Sequence, residues 1–476
     1  MSFKKYDQNQ MDLLPRSVHD YLPEGHVAKV VNAVVESLDL TRIRERYSPR
    51  GCAAYDPGML VKILFYGYAC GERSSRKLGS RLESDLAYLY LAGHQCPDFR
   101  TINRFRKDHL DLLKELFGQI VRLCLEMGMV HLGRMALDGS KFKANAAERQ
   151  VRRKEDLERE MEQILQEAQE VDDQEDREYG EHSPYEGLPE IQEKEDLLRR
   201  LKEARQRLEQ EGRKQINLTD GDARTMLHQN RYPLTSYNGQ LAVEGEKGLI
   251  VAATVSTSPT DHSAVQELVE QEEEQVGERP REVLADSGFS SYANMVYLEE
   301  RGITGYIPDP KLQSVEQGTS KHPEFTKSQF HYDPERDQYI CPEGQPLPYW
   351  GRQKDKLGVE WTVYRGSQCA GCPRKRECTR SKARRITRHP QEEVVERMRE
   401  RLHTPEGKRI YAQRQTLVEP VFGHLKHNWR FRDLLLRGKA QVTGEFFLMC
   451  IGYNLKKIAK FLSPSPKTSW GMPQKA

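Results

Sequence analysis

The 476-residue sequence predicts a mixed α/β protein with a helical N-terminal part, and three observations carry that expectation. Apolar residues recur at helical spacing in Val27, Val30, Val31, Val34 and Val35, and again in Leu110, Leu113, Leu116, Phe117 and Ile120. Between Arg134 and Ile307 the period switches from alternating to helical and back, giving strand, strand, strand, helix, strand, helix, strand. From Pro308 to about Pro390 the chain turns Pro/Gly-rich with scattered aromatic strands before helix resumes.

Residues 1–130 read as an all-α domain. Within it, the turn Pro97-Asp98-Phe99 leads to Thr101, placed to cap a helix carrying Arg104, Arg106 and Lys107. That helix suits DNA contact, and a capped surface helix with ordinary charges is the plainer alternative. Residues 131–147 hold a first core strand, Arg134 to Leu137. Residues 148–215 form a charged helical hairpin, with stripes Leu157, Met161, Ile164, Leu165, Ala168 and Leu197, Leu201, Ala204, Leu208, and a bend between Gly180 and Pro189.

Residues 216–307 supply the rest of a core. They hold strands at Tyr237–Glu244, Leu249–Val255, Val283–Ala285 and Ile303–Ile307, and helices at Ala264–Glu274 and Tyr292–Glu300. Residues 308–400 are a β-rich insertion with strands at Gln338–Ile340 and Trp361–Tyr364. Residues 401–462 are helical, and 463–476 read as a disordered tail.

Net charge is only +2, from 74 basic and 72 acidic residues, so the total announces no polyanion partner. The distribution does. Residues 148–215 carry 14 basic and 22 acidic groups, whereas 401–460 carry 12 and 4, which marks one solvated segment and one facing a polyanion. No run approaches the roughly 18 apolar residues of a membrane span, and the first residues lack the apolar core of a signal peptide. The expectation is a cytoplasmic, nucleoid-associated protein without membrane contact.

Three carboxylates stand where this topology would gather them. Asp138 closes the first strand, Asp286 closes the fourth, and Glu419 lies in the late helical stretch. Hard Mg²⁺ or Mn²⁺ prefers oxygen ligands, and a two-metal site stabilises both oxygens of a phosphoryl transfer. An Asp before Gly or Ser is also a common turn former or cap, so the strand order is what gives these positions weight.

The blocks Ala136-Leu137-Asp138-Gly139-Ser140-Lys141-Phe142-Lys143-Ala144-Asn145-Ala146, Ala285-Asp286-Ser287-Gly288-Phe289 and Val418-Glu419-Pro420-Val421-Phe422-Gly423-His424-Leu425-Lys426 resemble the three signature blocks of bacterial insertion-sequence DDE transposases. Ala54-Tyr55-Asp56-Pro57, Tyr66-Gly67-Tyr68 and Pro97-Asp98-Phe99-Arg100-Thr101-Ile102 fit the same family, so the similarity runs in order along nearly the whole chain. The resemblance implies a ribonuclease-H-like core interrupted by insertions, behind a helical domain that binds the element's ends. It implies metal-dependent cleavage and strand transfer on double-stranded DNA, with Asp138, Asp286 and Glu419 catalytic and metal-binding, in a homodimer that synapses two ends. It also implies backbone clamping by Tyr411, Arg414 and Lys426. Four residues separate Arg414 from Glu419 where the familiar signature has three, and Pro420 is expected to kink or restart the helix at Glu419.

Lys426 lies seven residues beyond Glu419, two turns on along the same face. Trp429, Arg430 and Arg432 interleave aromatic and basic groups suited to stacking and phosphate contact, with Trp429 equally suited to a core. Cys341, Cys369, Cys372 and Cys378 form a thiol group of plausible, though irregular, structural Zn²⁺ spacing, with free thiols the alternative; Cys52, Cys70, Cys96, Cys124 and Cys450 read as isolated buried thiols. Competing classes are a catalytically inactive or repurposed DNA-binding relative, a tyrosine recombinase using Tyr411, and a zinc-organised interaction protein. The last would leave the three acidic blocks unexplained.

Overall fold

A computed structural model describes residues 17–48, 53–131, 133–179, 189–228, 232–309, 322–356 and 358–463. The expected hairpin bend at 180–188, Cys52 and the tail beyond 463 lie outside the described residues. The chain is mixed α/β, with helices throughout its N-terminal part and two principal sheets.

The larger sheet is built on two long strands, β1 (Arg134–Lys143) and β5 (Pro233–Glu244). Between them in sequence come β2 (Val151–Arg153) and β3 (Gln215–Asn217), which pair with each other, and β4 (Arg224–Leu227). The sequence continues with β6 (Ile250–Ser256), β7 (Glu282–Leu284) and β8 (Thr304–Tyr306). β5 runs antiparallel to β1 along one edge and to β4 and then β6 along the other. On its far side β1 pairs in parallel with β7, and β7 with β8. β1 runs on to Lys143, so Asp138 sits mid-strand opposite Leu241 and not at a strand end. The near-continuous burial of β5 and β6 reflects cover on both faces, by the Ala264–Val276 and Lys439–Leu462 helices.

The Lys439–Leu462 helix ties the two ends of the chain together. It is buried through most of its length and packs on β6 and on the helices Val27–Ser37, Pro57–Ala69 and Leu113–Glu126. One apolar cluster therefore runs from Leu22 to Ala459 through the N-terminal helices and the sheet. Gly452 permits the closest crossing, since a Cβ there would lie 2.7 Å from the backbone carbon of Tyr68.

Two excursions leave this core. Helices Lys154–Tyr179 and Pro189–Gln210 pair through Leu157, Met161, Leu201, Ala204 and Leu208. Leu165 and Leu197 are exposed, so the seam is narrower than the stripes predict. The second excursion is a five-stranded antiparallel sheet of β9 (His331–Asp333), β10 (Gln338–Ile340), β11 (Pro346–Lys354), β12 (Glu360–Arg365) and β13 (Arg385–Arg388), with its own small core of Phe330, Tyr339, Leu347, Tyr364 and Ile386. Among the described residues no helix is long and apolar enough to cross a membrane.

Replacing Gly452 by Ala should force the Lys439–Leu462 helix off the Pro57–Ala69 helix and cost roughly 1–3 kcal/mol. Urea unfolding followed by circular dichroism measures this; an unchanged midpoint would show that the crossing has slack.

Candidate active site

The parallel register aligns Met135 with Val283 and Ala136 with Leu284. Asp138 and Asp286 each follow the last aligned pair by two residues, and the Asp286 charge is close enough to raise Asp138. The Asp286 carboxylate also caps the short turn Ser287–Phe289, accepting from the Gly288 amide at 2.8 Å. Asp138 accepts from the Gly139 amide at 2.9 Å.

A third carboxylate, Asp261, stands beside this pair. Its Oδ1 accepts from Asn238 Nδ2 at 2.7 Å and Gln240 Nε2 at 2.6 Å, both on β5. A Cβ on Gly139 would lie 2.5 Å from Asp261 Oδ1, and one on Gly288 3.1 Å from its Oδ2. The glycines that follow Asp138 and Asp286 therefore leave the room that Asp261 occupies. Sequence reading missed Asp261, which sits in a polar loop after β6; the two glycines were the available signal.

Burial pushes Asp138 up to about 7, with Asp286 and Asp261 adding to the rise and Arg414 and the Gly139 amide opposing it. Asp286 is raised as well, first by burial, against the pull of Arg414. Arg414 Nη1 stands 3.7 Å from Asp138 Oδ1, is buried and makes no hydrogen bond.

Arg414 belongs to the helix Pro405–Gly423, which lies along β1. Alternate β1 residues meet it in turn: Asp138 faces Arg414, Ser140 faces Lys426, and Phe142 packs with Phe422. Lys426 Nζ donates to Ser140 Oγ at 2.5 Å and to the Lys141 carbonyl at 2.7 Å, over the Phe142 ring. Burial, with Arg432 adding to it and Asp138 opposing, brings Lys426 down to about 8.

Glu419 is not gathered with the two aspartates. It is exposed, one residue round the helix from buried Val418. Among the described residues, the trio of potential metal ligands within 4.8 Å of one another is His322, Glu324 and Glu377, in the β-rich insertion, where Arg374 already pairs with both glutamates. Nor do Glu419 and Lys426 share a face as their spacing predicts. Pro420 does not restart the helix, which runs unbroken from Pro405 to Gly423, with Val418, Val421 and Phe422 on the core; a π turn follows over His424–Asn428.

Other expected contacts are redistributed too. Arg106 is 5% exposed and donates to the Arg73 carbonyl and to Asn103 Oδ1, both at 2.8 Å, so it braces the helices and does not face DNA. Asp98, not Thr101, caps that helix, accepting from the Thr101 amide at 2.7 Å. Arg104 is exposed, in a groove with Arg73, Arg76, Arg100 and Lys107 that ends on Leu435. Trp429, 8% exposed, packs with His424 and Phe431 against Gly71 and is core. Arg430 and Arg432 are exposed, Arg430 at a positive φ of 59° and Arg432 donating to the Lys426 carbonyl. Tyr411 is partly buried against the core.

Of the isolated cysteines, Cys124 and Cys450 are buried, while Cys70, at a helix C-cap, and Cys96, in a loop, are exposed. Cys341, Cys369, Cys372 and Cys378 line one small cavity in the insertion. Burial, then Cys369, Cys341 and Cys372, push the Cys378 thiol up, against the pull of Arg384.

The raised carboxylates make stability pH-dependent. Below about pH 4 Asp138 is protonated in folded and unfolded chains alike; between there and about 7 only the unfolded chain ionises it, so its contribution to stability falls as pH rises through that window. Metal-free protein should therefore unfold at lower urea at about pH 8 than at about pH 5. Asp138→Asn should shrink that difference and Mn²⁺ should oppose it in the parent; equal slopes in parent and variant would refute the assignment.

A family model described as a transposase DDE domain matches residues 340–459, and a second, described as a transposase domain, matches residues 16–108. The first contains Glu419, Lys426 and the cysteine group; Asp138 and Asp286 lie between the two matches, so the case for those residues is geometric. No curated protein and no solved structure matches the chain. A transposase domain matched at the helical end and a transposase DDE domain matched over the C-terminal part together indicate an insertion-sequence DDE transposase.

Proposed function

We propose that this transposase cuts and rejoins DNA at a divalent-metal site held by Asp138, Asp286 and Glu419, on a ribonuclease-H-like core. The observation that carries the reading is the parallel pairing of β1 with β7, with partly buried Asp138 and Asp286 each two residues past the last aligned pair. The strand order supports the core: three antiparallel strands β6, β5, β1, then parallel β7 and β8.

The donor set suits Mg²⁺ or Mn²⁺, being all oxygen, and Arg414 Nη1, 3.7 Å from Asp138 Oδ1 and without a hydrogen bond, already supplies positive charge there. When bound, two such ions would activate the attacking water or 3′ hydroxyl and stabilise both oxygens of an in-line displacement. Asp138 and Asp286 hold them, and Glu419 completes the set by closing inward. Pro420 gives the helix room for that movement, since it has no amide proton to bond the Thr416 carbonyl. Asp261 acts as a positioning residue, fixed by Asn238 and Gln240 and steering the two aspartates by its charge.

DNA ends lie in the groove of Arg73, Arg76, Arg100, Arg104 and Lys107, whose charges fit phosphates and whose Leu435 end adjoins the loop of Arg430 and Arg432. Lys426 spends two ammonium protons on β1 and keeps one for a phosphate. Two chains, as a homodimer, would synapse the two ends. The second reading is a DNA-binding relative without catalysis, favoured by the exposure of Glu419.

With a DNA fragment carrying the element's inverted repeats and Mg²⁺ or Mn²⁺, the parent should nick and join while Asp138→Asn binds the ends and does not cut. Cleavage surviving in that variant would overturn the mechanism; no cleavage by the parent under any metal would leave the binding-only relative. Asp261→Asn should weaken Mn²⁺ binding, read by electron paramagnetic resonance without DNA, by about 10–100-fold. Unaltered Mn²⁺ affinity would reduce Asp261 to a structural role.

A further inference from the structure

The β-rich insertion places its four cysteines on three separate turns around one cavity, and nothing in the phosphoryl-transfer chemistry uses them. Cys341 opens the turn after β10. Its carbonyl accepts from the Gly344 amide at 2.8 Å, Gly344 holds a left-handed φ of 73°, and the Gln345 amide points at Cys341 Sγ at 3.3 Å. Cys369 and Cys372 bracket a single short turn beyond β12, and the Arg384 amide points at Cys369 Sγ at 3.5 Å. Cys378 closes the four-residue helix Lys375–Cys378, and its carbonyl accepts from Arg384 Nη1 at 3.1 Å. Amides aimed at sulphur, as at Cys341 and Cys369, favour the thiolate form that a metal needs.

The cavity between these turns is about 30 Å³, walled by Phe325, Phe330 and Leu347 and closed by Gly366, where any Cβ would overlap Cys369 Sγ. That is room for little more than one water-sized group. No three of the sulphurs lie within 4.8 Å of one another, so a central ion would have to draw them inward by side-chain rotation. The tetrahedral Cys₄ sites of zinc ribbons draw their ligands from turns in the same way, and their metal has no open position for substrate.

We infer that Cys341, Cys369, Cys372 and Cys378 bind one thiophilic divalent ion, Zn²⁺, which closes the insertion. The apolar core of this sheet is small, resting on Phe330, Tyr339, Leu347, Tyr364 and Ile386. A metal cross-link joins the β10–β11 turn to the segment between β12 and β13, which strand pairing alone leaves untied. That segment includes most of the run from Arg374 to Arg388, with eight basic residues against Glu377. The ion would thus fix the shape of a basic surface.

The test is metal analysis of the reduced full-length protein purified without chelator. One zinc per chain is expected, lost from Cys372→Ser and from Cys341→Ser, and replaceable by Co²⁺ with thiolate-to-cobalt absorption in the near ultraviolet. Cys124→Ser, at a buried thiol outside the group, should keep its zinc and guards against loss through misfolding. Iron in place of zinc would overturn the identity of the ion. A folded, reduced chain that holds no metal and takes up no Co²⁺ would overturn the site. Neither result touches the reading of Asp138 and Asp286, which rests on Mg²⁺- or Mn²⁺-dependent cleavage.

Discussion

Two partly buried carboxylates, Asp138 within β1 and Asp286 just past the end of its parallel neighbour β7, set the terms for the rest of this structure. Asp138 and Asp286 repel each other, and burial removes the water that would screen them. Such a pair persists only with a proton or a cation nearby. Arg414 supplies part of that charge from the side, and a third acid, Asp261, is held close by two amides where it adds to the repulsion. An arrangement that carries more negative charge than its own protein cations balance is unfavourable for folding and suited to binding a hard divalent ion.

The geometry of the pair depends on β1 being read by a helix. A strand presents every second residue to one face, whereas a helix returns to the same face every three or four. Asp138, Ser140 and Phe142 are met by Arg414, Lys426 and Phe422. Lys426 lies within a π turn over His424–Asn428, and its ammonium donates to the β1 backbone. Phe431 continues the same packing, with its amide donating to the Leu425 carbonyl and its ring under the Arg73 guanidinium. The C-terminal part of the site is thereby fastened to the N-terminal helices.

Much of this was legible in the sequence because it is written in periodicity. The strand and helix order from Arg134 to Ile307 followed from alternation, and the helical hairpin from its leucines. What was hidden depends on partners far away in the chain. Arg106 looks like a neighbour of Arg104 on a basic helix, yet the half-turn between them sends one to the Arg73 carbonyl and leaves the other in solvent. Trp429 sits among basic residues and still belongs to the core, because Gly71 leaves a place for its ring. Asp261 was missed because a loop acid has no local pattern; only the cross-sheet contacts with Asn238 and Gln240 give it meaning. Glu419 was found by its signature, but its direction is set by which helix face β1 accepts, and spacing does not record that.

Charge illustrates the same separation of scales. The acidic hairpin spends its charges internally, through cross-helix pairs such as Lys154 with Glu209, Arg205 with Glu158 and Lys194 with Glu167. Exposed pairs of this kind contribute little to stability, yet they keep a long, narrow seam soluble and in register. The basic groups of the N-terminal groove have fewer carboxylates to answer them: Arg76, Arg100, Arg104 and Lys107 gather beside Arg73 with Asp108 as the acid of the lining. A near-zero total therefore hides a surface sorted by sign. For a polyanion the local field decides the approach, and it points to the side of the molecule where the N-terminal helices meet Leu435 and the loop that ends β1's partner helix.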